Sequence, residues 1–196
     1  MRRISCVWVL IAVVAVAQLV VGATSLAQFV REEISIHVHG EYCTLVGRYE
    51  FRNTQNHAAL WPIFYPLLNT DTIPLADSIR IRDAGTEELL PFESGVSGVS
   101  FALNMPPRAS KSIRISYRQR TPKQRMDYIL TSTQQWGKPL ESATFRVVVP
   151  DSLRLTHMSP DYDSLMKRGH DVEHFIHKKV FMPHSNLSIK WERRRQ

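Results

Sequence analysis

Three histidines in one short stretch are the first residues here that could do chemistry. His170, His174 and His177 stand four and three apart. On a helix that spacing stacks them on one face, where imidazoles can hold a zinc-type ion. On a strand the same spacing turns His174 and His177 to opposite faces, and the segment 172–181 also reads as a strand. Both conformations stay open from sequence. His37 and His39, two apart, share a face if their segment is extended, and form a second candidate pair. Polar residues are the ordinary occupants of a solvated strand face, so each set has a bland explanation beside the chemical one.

Carboxylates offer less. Asp161, Asp163 and the nearby Asp171 lack the regular oxygen spacing and the glycine of a calcium loop, and read as a polar turn. Glu32-Glu33 reads as a solvated pair ahead of the first strand, and Glu87-Glu88 as a solvated pair beside a turn. Aromatic side chains are better binding candidates. Trp136 sits in the loop segment Gln134–Pro139, and Tyr162 and Trp61 accompany it as rings that can stack on a sugar or anchor a protein. Trp61 and Trp191 read first as filling between the sheets, and Trp136 is the better binding candidate.

No G-x-S-x-G, H-E-x-x-H, phosphate-binding glycine loop, C-x-x-C pair or dinucleotide fingerprint occurs. The expectation is therefore a protein that is not an enzyme and carries no cofactor. Cys43 is the only cysteine beyond the leader described below, and its apolar, alternating surroundings mark it as buried. The sequon Asn186-Leu187-Ser188 opens a predicted strand and reads as chance.

The elements that must position these residues have a period of two. Ile34, Ile36 and Val38 alternate with polar neighbours. So do Cys43, Leu45, Gly47, Tyr49 and Phe51, then Val99 to Met105, Ile113 to Tyr117, and Phe145 to Val149. Residues 60–65, split by Pro62 and closed by Pro66, read as an edge or bent strand. Residues 79–92 read as a hairpin about Asp83-Ala84-Gly85, and residues 161–167 as one or two helical turns. Ten to twelve short strands with frequent turn signals predict an all-β, antiparallel two-sheet β-sandwich, Ig-like or jelly-roll-like, as one domain over residues 28–192. Residues 193–196 read as a basic tail.

Ahead of that domain, Arg2-Arg3 precede the uncharged run Ile4–Ala23, which ends in Ser25-Leu26-Ala27. This is the order of an export signal: a basic start, an apolar helix, then small residues at a cut. The run is also long enough to stay as an N-terminal membrane anchor over residues 4–23. Either way the domain is expected outside the cytoplasm: periplasmic, at the cell surface or secreted. The formal charge of +7 is dispersed, without a basic stripe interleaved with aromatics, which argues against a nucleic-acid partner.

Two stretches, Gly47–Asn53 and Phe64-Tyr65-Pro66-Leu67, resemble the opening of vault/inter-alpha-trypsin-type sandwich domains, with a long strand ending in an aromatic and Asn, then an aromatic-Pro-Leu step. Tyr128-Ile129-Leu130, Trp136, Pro139, Ala143-Thr144-Phe145 and Val149-Pro150 are similar to uncharacterised exported bacterial sandwich domains. The resemblance implies an interaction module and supplies no catalytic residue. The first reading is thus an exported, non-catalytic module binding another envelope or extracellular protein. The alternatives are a carbohydrate-binding module built on Trp136, Tyr162 and Trp61, and a metal protein or enzyme built on His170, His174 and His177.

Overall fold

The computed structural model describes residues 27–70 and 73–194. The leader, and the apolar helix expected within it, lie outside the described residues. Thirteen strands and one short 3-10 helix form the fold: β1 (Ala27–Val38), β2 (Tyr42–Asn53), β3 (Ala59–Pro66), β4 (Asp77–Asp83), β5 (Glu93–Gly95), β6 (Gly98–Met105), β7 (Ser110–Arg120), β8 (Arg125–Tyr128), the 3-10 helix (Thr131–Trp136), β9 (Leu140–Pro150), β10 (Leu153–Ser159), β11 (Ser164–Arg168), β12 (Asp171–Phe181) and β13 (Leu187–Arg193). No helix among the described residues is long and apolar enough to cross a membrane.

The all-β expectation holds, and the arrangement departs from it in two ways. There are three sheets: one of seven strands in the order β11-β12-β9-β1-β2-β7-β4, and two of three strands, β10-β13-β8 and β3-β6-β5. And one pairing is parallel. β1 runs beside β9 from Arg31↔Ser142 to His37↔Val148, while every other pairing is antiparallel. A parallel neighbour needs a long crossover, and here the crossover is the whole chain from β2 to the 3-10 helix. Consistent with a central place, β9 buries Val147, Val148 and Val149 in succession rather than alternately.

The alternation read from sequence decides the layers. In β2 every second residue from Cys43 to Asn53 is buried. The same holds for Val99, Phe101, Leu103 and Met105 in β6 and for Ile113, Ile115 and Tyr117 in β7. These faces meet in one continuous core that joins the seven-stranded sheet to both small sheets, with Phe145, Ile36, Leu45, Ile81, Leu103 and Met105 among its most enclosed side chains. Each such side chain contributes about 1.5–3 kcal/mol on leaving water. Cys43 is fully buried there, and burial pushes its thiol up to about 12.

Local departures have local causes. Residues 161–167 are not helical. Ser164–Arg168 pair with β12 through the tight turn at Gly169-His170, where Gly169 takes φ +60. β3 is an edge strand, as its prolines required. The tail begins later than expected, since Arg193 still pairs with Leu153. Most consequential, β1 starts at Ala27 and carries a bulge at Val30 between the pairs Phe29↔Phe51 and Arg31↔Glu50. The extra residue shifts the alternation, so that both Phe29 and Glu32 face inward. Glu32 is therefore not a solvated residue ahead of the strand. It is 2% exposed, on the same face as Ile34, Ile36 and Val38.

Candidate functional site

The bulge places the Glu32 carboxyl between the sheets, opposite Tyr49 of β2. Tyr49 can lie flat along the sheet because residue 47 is glycine. A Cβ at Gly47 would collide with the Tyr49 ring and hydroxyl. From there the Tyr49 hydroxyl reaches both small sheets, 2.8 Å from the Tyr65 hydroxyl of β3 and 3.1 Å from the Tyr128 hydroxyl of β8. The Tyr128 hydroxyl in turn donates to Glu32 Oε2 over a long 3.3 Å. Each phenol has one proton to give. With that of Tyr128 on Glu32, Tyr49 donates to Tyr128 and Tyr65 donates to Tyr49. The hydroxyl protons thus run in one direction and end at the carboxylate.

The other carboxyl oxygen has nothing. Glu32 Oε1 is buried and without a hydrogen-bond partner. Burial pushes the Glu32 carboxyl up to about 8, against which the Tyr128 hydrogen bond pulls only partly. Burial likewise holds Tyr49, Tyr65, Tyr117 and Tyr128 well above the ordinary phenol range, so all four are neutral.

Above this group lies a cavity of about 360 Å³. Its walls include Glu32, Tyr49, Tyr65 and Tyr128, the apolar Phe29, Phe51, Phe101, Ile113 and Ile115, and the 3-10 helix residues Ser132, Thr133, Gln135 and Trp136. That volume is at the lower end of the range for small-molecule sites, and the mix of apolar wall and few polar groups is typical of them. No basic residue lines it.

Trp136 forms part of the rim. Its ring packs at 5.4 Å from Phe51 and 6.0 Å from Phe29. The 3-10 helix that carries it is pinned from β13's approach: Asn186 Oδ1 accepts from the backbone N–H groups of Leu130 and Thr131 and from the Thr131 hydroxyl, at 3.1–3.2 Å. The Gln134 amide donates to the Pro183 carbonyl at 2.7 Å, and Gly137 ends the helix in the left-handed conformation. Asn186 is thus a structural pin.

The other candidates are not brought to this cavity. Trp61 points toward the core on β3, half-buried opposite Leu103, and Tyr162 lies before β11 with its ring 4.8 Å from that of His174. Neither lines the space that Trp136 borders. Nor do His170, His174 and His177 converge, because β12 is a strand. His174 is buried on the same face as Ile176, and His177 is exposed on the other. His170 sits in the turn with Nδ1 3.0 Å from Asp151 Oδ2. His37 and His39 do share a face, but His37 engages Ser35 and His39 engages Thr44. Asp163 binds the His177 backbone N–H and Lys178. Among the described residues no group of three or more His, Cys, Asp or Glu could hold a metal ion. Glu32 had one legible signal, its even spacing from Ile34, Ile36 and Val38.

No family model matches the sequence, and no curated protein does. Solved structures do resemble it. One is a proposed nutrient binding protein of Legionella pneumophila, with a TM-score of 0.69 and 13% identity over 85% of this chain and 67% of that one. Another is an M1 zinc metallopeptidase of Deinococcus radiodurans, with a TM-score of 0.54 and 12% identity over 84% of this chain. The chain spans 42% of the peptidase's length. At such identities the likeness is one of fold: this is an all-β, sandwich-like domain of an architecture found in both.

Proposed function

We propose that this protein is an exported, non-catalytic binding module that takes a small organic molecule into the cavity between the seven-stranded sheet, β3 and the 3-10 helix. The observation that carries this reading is the buried, unpartnered Glu32 Oε1 beneath an aromatic-walled space. A buried polar atom without a partner costs on the order of 1–3 kcal/mol, more if charged. A ligand that supplies the partner recovers that cost. The Legionella protein of similar fold is described as nutrient binding, which agrees in kind. The non-catalytic reading rests on the sequence, which carries none of the catalytic motifs sought in it. Export rests on the leader. Recovery of the chain in an extracytoplasmic fraction, cut after Ala27 or held by residues 4–23, is the expected result.

The test is a fluorescence and thermal-shift screen of the full chain against small organic molecules of all three charge types. Hits should raise the melting temperature and change the emission of wild type, but not the emission of Trp136→Phe. Ser132→Trp, which puts an indole into the cavity, should abolish binding. A screen without hits, or hits unaffected by Ser132→Trp, removes the cavity from consideration.

A protein partner is the second reading, favoured by one observation. Leu60 and Phe64 point outward from edge strand β3 at 68% and 55% exposure, with Pro62 between them and Ala102 alongside. Phe64 also lines the cavity, so Leu60→Asp alone is the test: it should abolish crosslinking to an envelope or extracellular partner while leaving the cavity ligand bound.

A further inference from the structure

The charges around the cavity say more than that it binds something. Resting on the small-molecule reading above, we propose that the ligand is a small organic cation, an ammonium group seated on Glu32 Oε1 with the surrounding aromatic rings as its walls.

The first argument is the sign of the site. Glu32 is the one side chain in the lining that can take on charge close to neutral pH, and no Arg, Lys or His accompanies it. An anionic ligand would meet no counter-charge, and a carboxylate that repels it once Glu32 ionises. The second argument is the direction of the hydroxyl chain. Tyr65, Tyr49 and Tyr128 pass their protons toward Glu32 Oε2. Such a chain polarises to favour negative charge at its end. It prepares half of a carboxylate, and the half it leaves bare, Oε1, is where a positive charge belongs. The third argument is the wall. Phe29, Tyr49, Phe51 and Trp136 present rings, whose electron-rich faces attract a cation, and do so more strongly in a site shielded from water.

Binding is then linked to a proton. The ionisable groups facing Glu32 are Tyr49, Tyr65 and Tyr128, with Tyr117 behind Tyr65, and all stay neutral. With its pKa near 8, Glu32 is protonated in the empty protein at pH 7. A cation that pairs with the carboxylate must expel that proton to solvent. Affinity therefore rises with pH by about tenfold per unit below pH 8 and levels off above it.

The experiment uses two matched probe pairs on the full chain: phenethylammonium against 2-phenylethanol, and choline against 3,3-dimethyl-1-butanol. Titration calorimetry in two buffers of different ionisation enthalpy reads affinity and proton release together. The expected result is that at least one cation binds about tenfold or more tighter than its neutral counterpart, the gain of a desolvated ion pair and cation–π contact. It should release close to one proton at pH 7. Glu32→Gln should lose both the preference and the proton release while keeping the neutral probe's affinity. Trp136→Phe, which leaves the carboxyl in place, should weaken the cation but retain proton release. Neutral probes binding as tightly as cations, or cation binding unchanged in Glu32→Gln, overturns the proposal and leaves the cavity reading intact. Binding by neither pair overturns it as well; molecules of other chemistry blocked by Ser132→Trp in the broader screen would then still support a ligand cavity.

Discussion

The two faces of the seven-stranded sheet treat charge in opposite ways. On the outer face carboxylates are met by cations. Arg146 holds Glu173 through two bonds of 2.9 and 2.7 Å, with Arg168 nearby. Arg52 holds Glu141, Arg118 holds Asp77, and Arg31 lies near Glu50. These partners keep Glu173, Glu141 and Asp77 below the usual carboxylate range. On the inner face a single carboxylate, Glu32, has no cation at all, and burial moves it the other way. The exposed pairs among these contribute about 0–1 kcal/mol each, because water already solvates both members, whereas Glu173 is enclosed and depends on its arginine. The inner one is expensive for the opposite reason. The difference lies in pairing: even the enclosed Glu173 on the outer face has an arginine, and Glu32 has none.

The sharpest way to break this comparison is the pH dependence of stability. Glu32 has a folded pKa of about 8 against an unfolded value near 4.5. Between those values the unfolded chain has released a proton that the folded chain retains, so stability falls as pH rises from about 4.5 to 8 and is flat beyond. The full loss is on the order of 5 kcal/mol at about 1.4 kcal/mol per unit. Glu32→Gln should lose this fall, keeping only the rise toward pH 6.5 that burial of His37 and His174 imposes, and should be more stable than wild type at pH 9, measured by urea unfolding at several pH values. Equal slopes in the two proteins would mean Glu32 is not enclosed.

A smaller effect is expected at Gly47→Ala. The added methyl displaces the Tyr49 ring and with it the links to Tyr65 and Tyr128. A cost of about 1–3 kcal/mol in urea unfolding follows from overpacking. Tyr128→Phe removes one hydroxyl and leaves both Tyr49 and Glu32 with one partner fewer, for about 1–2 kcal/mol. Thermal unfolding should show it, together with a further rise of the Glu32 pKa followed by carboxyl-region infrared titration. The smallest change belongs to the outer face. Arg52→Ala should cost under about 1 kcal/mol and less still at high salt. An outer-face change as large as that at Gly47 would erase the distinction.

Much of this was legible in the sequence. Alternation reveals which residues of β2, β6 and β7 face the core, because a half-buried strand writes its burial at every second position. Trp136 could be singled out as a loop aromatic. The segments around Tyr49 and Tyr65, which carry the vault-type resemblance, supply two of the three linked hydroxyls. What could not be read depends on contacts distant in the chain. The bulge at Val30 is visible only in its pairing with β2. The role of Asn186 needs the 3-10 helix some 55 residues earlier. The parallel partner of β1 has no local signature, and the histidine set hinged on whether 171–181 is extended, which pairing with β9 decides.

That parallel partner has a consequence in time. β1 is the first strand among the described residues and lies in the middle of its sheet, with Arg31 beside Ser142 at a separation of 111 residues. Until β9 emerges, one flank of β1 has no neighbour and the Glu32 chamber has no roof from the 3-10 helix. Distant closures of this kind make for slow, late assembly. A polypeptide of this topology stays unfinished until β9 has been synthesised, so a chain halted short of residue 140 leaves its central strand half-paired.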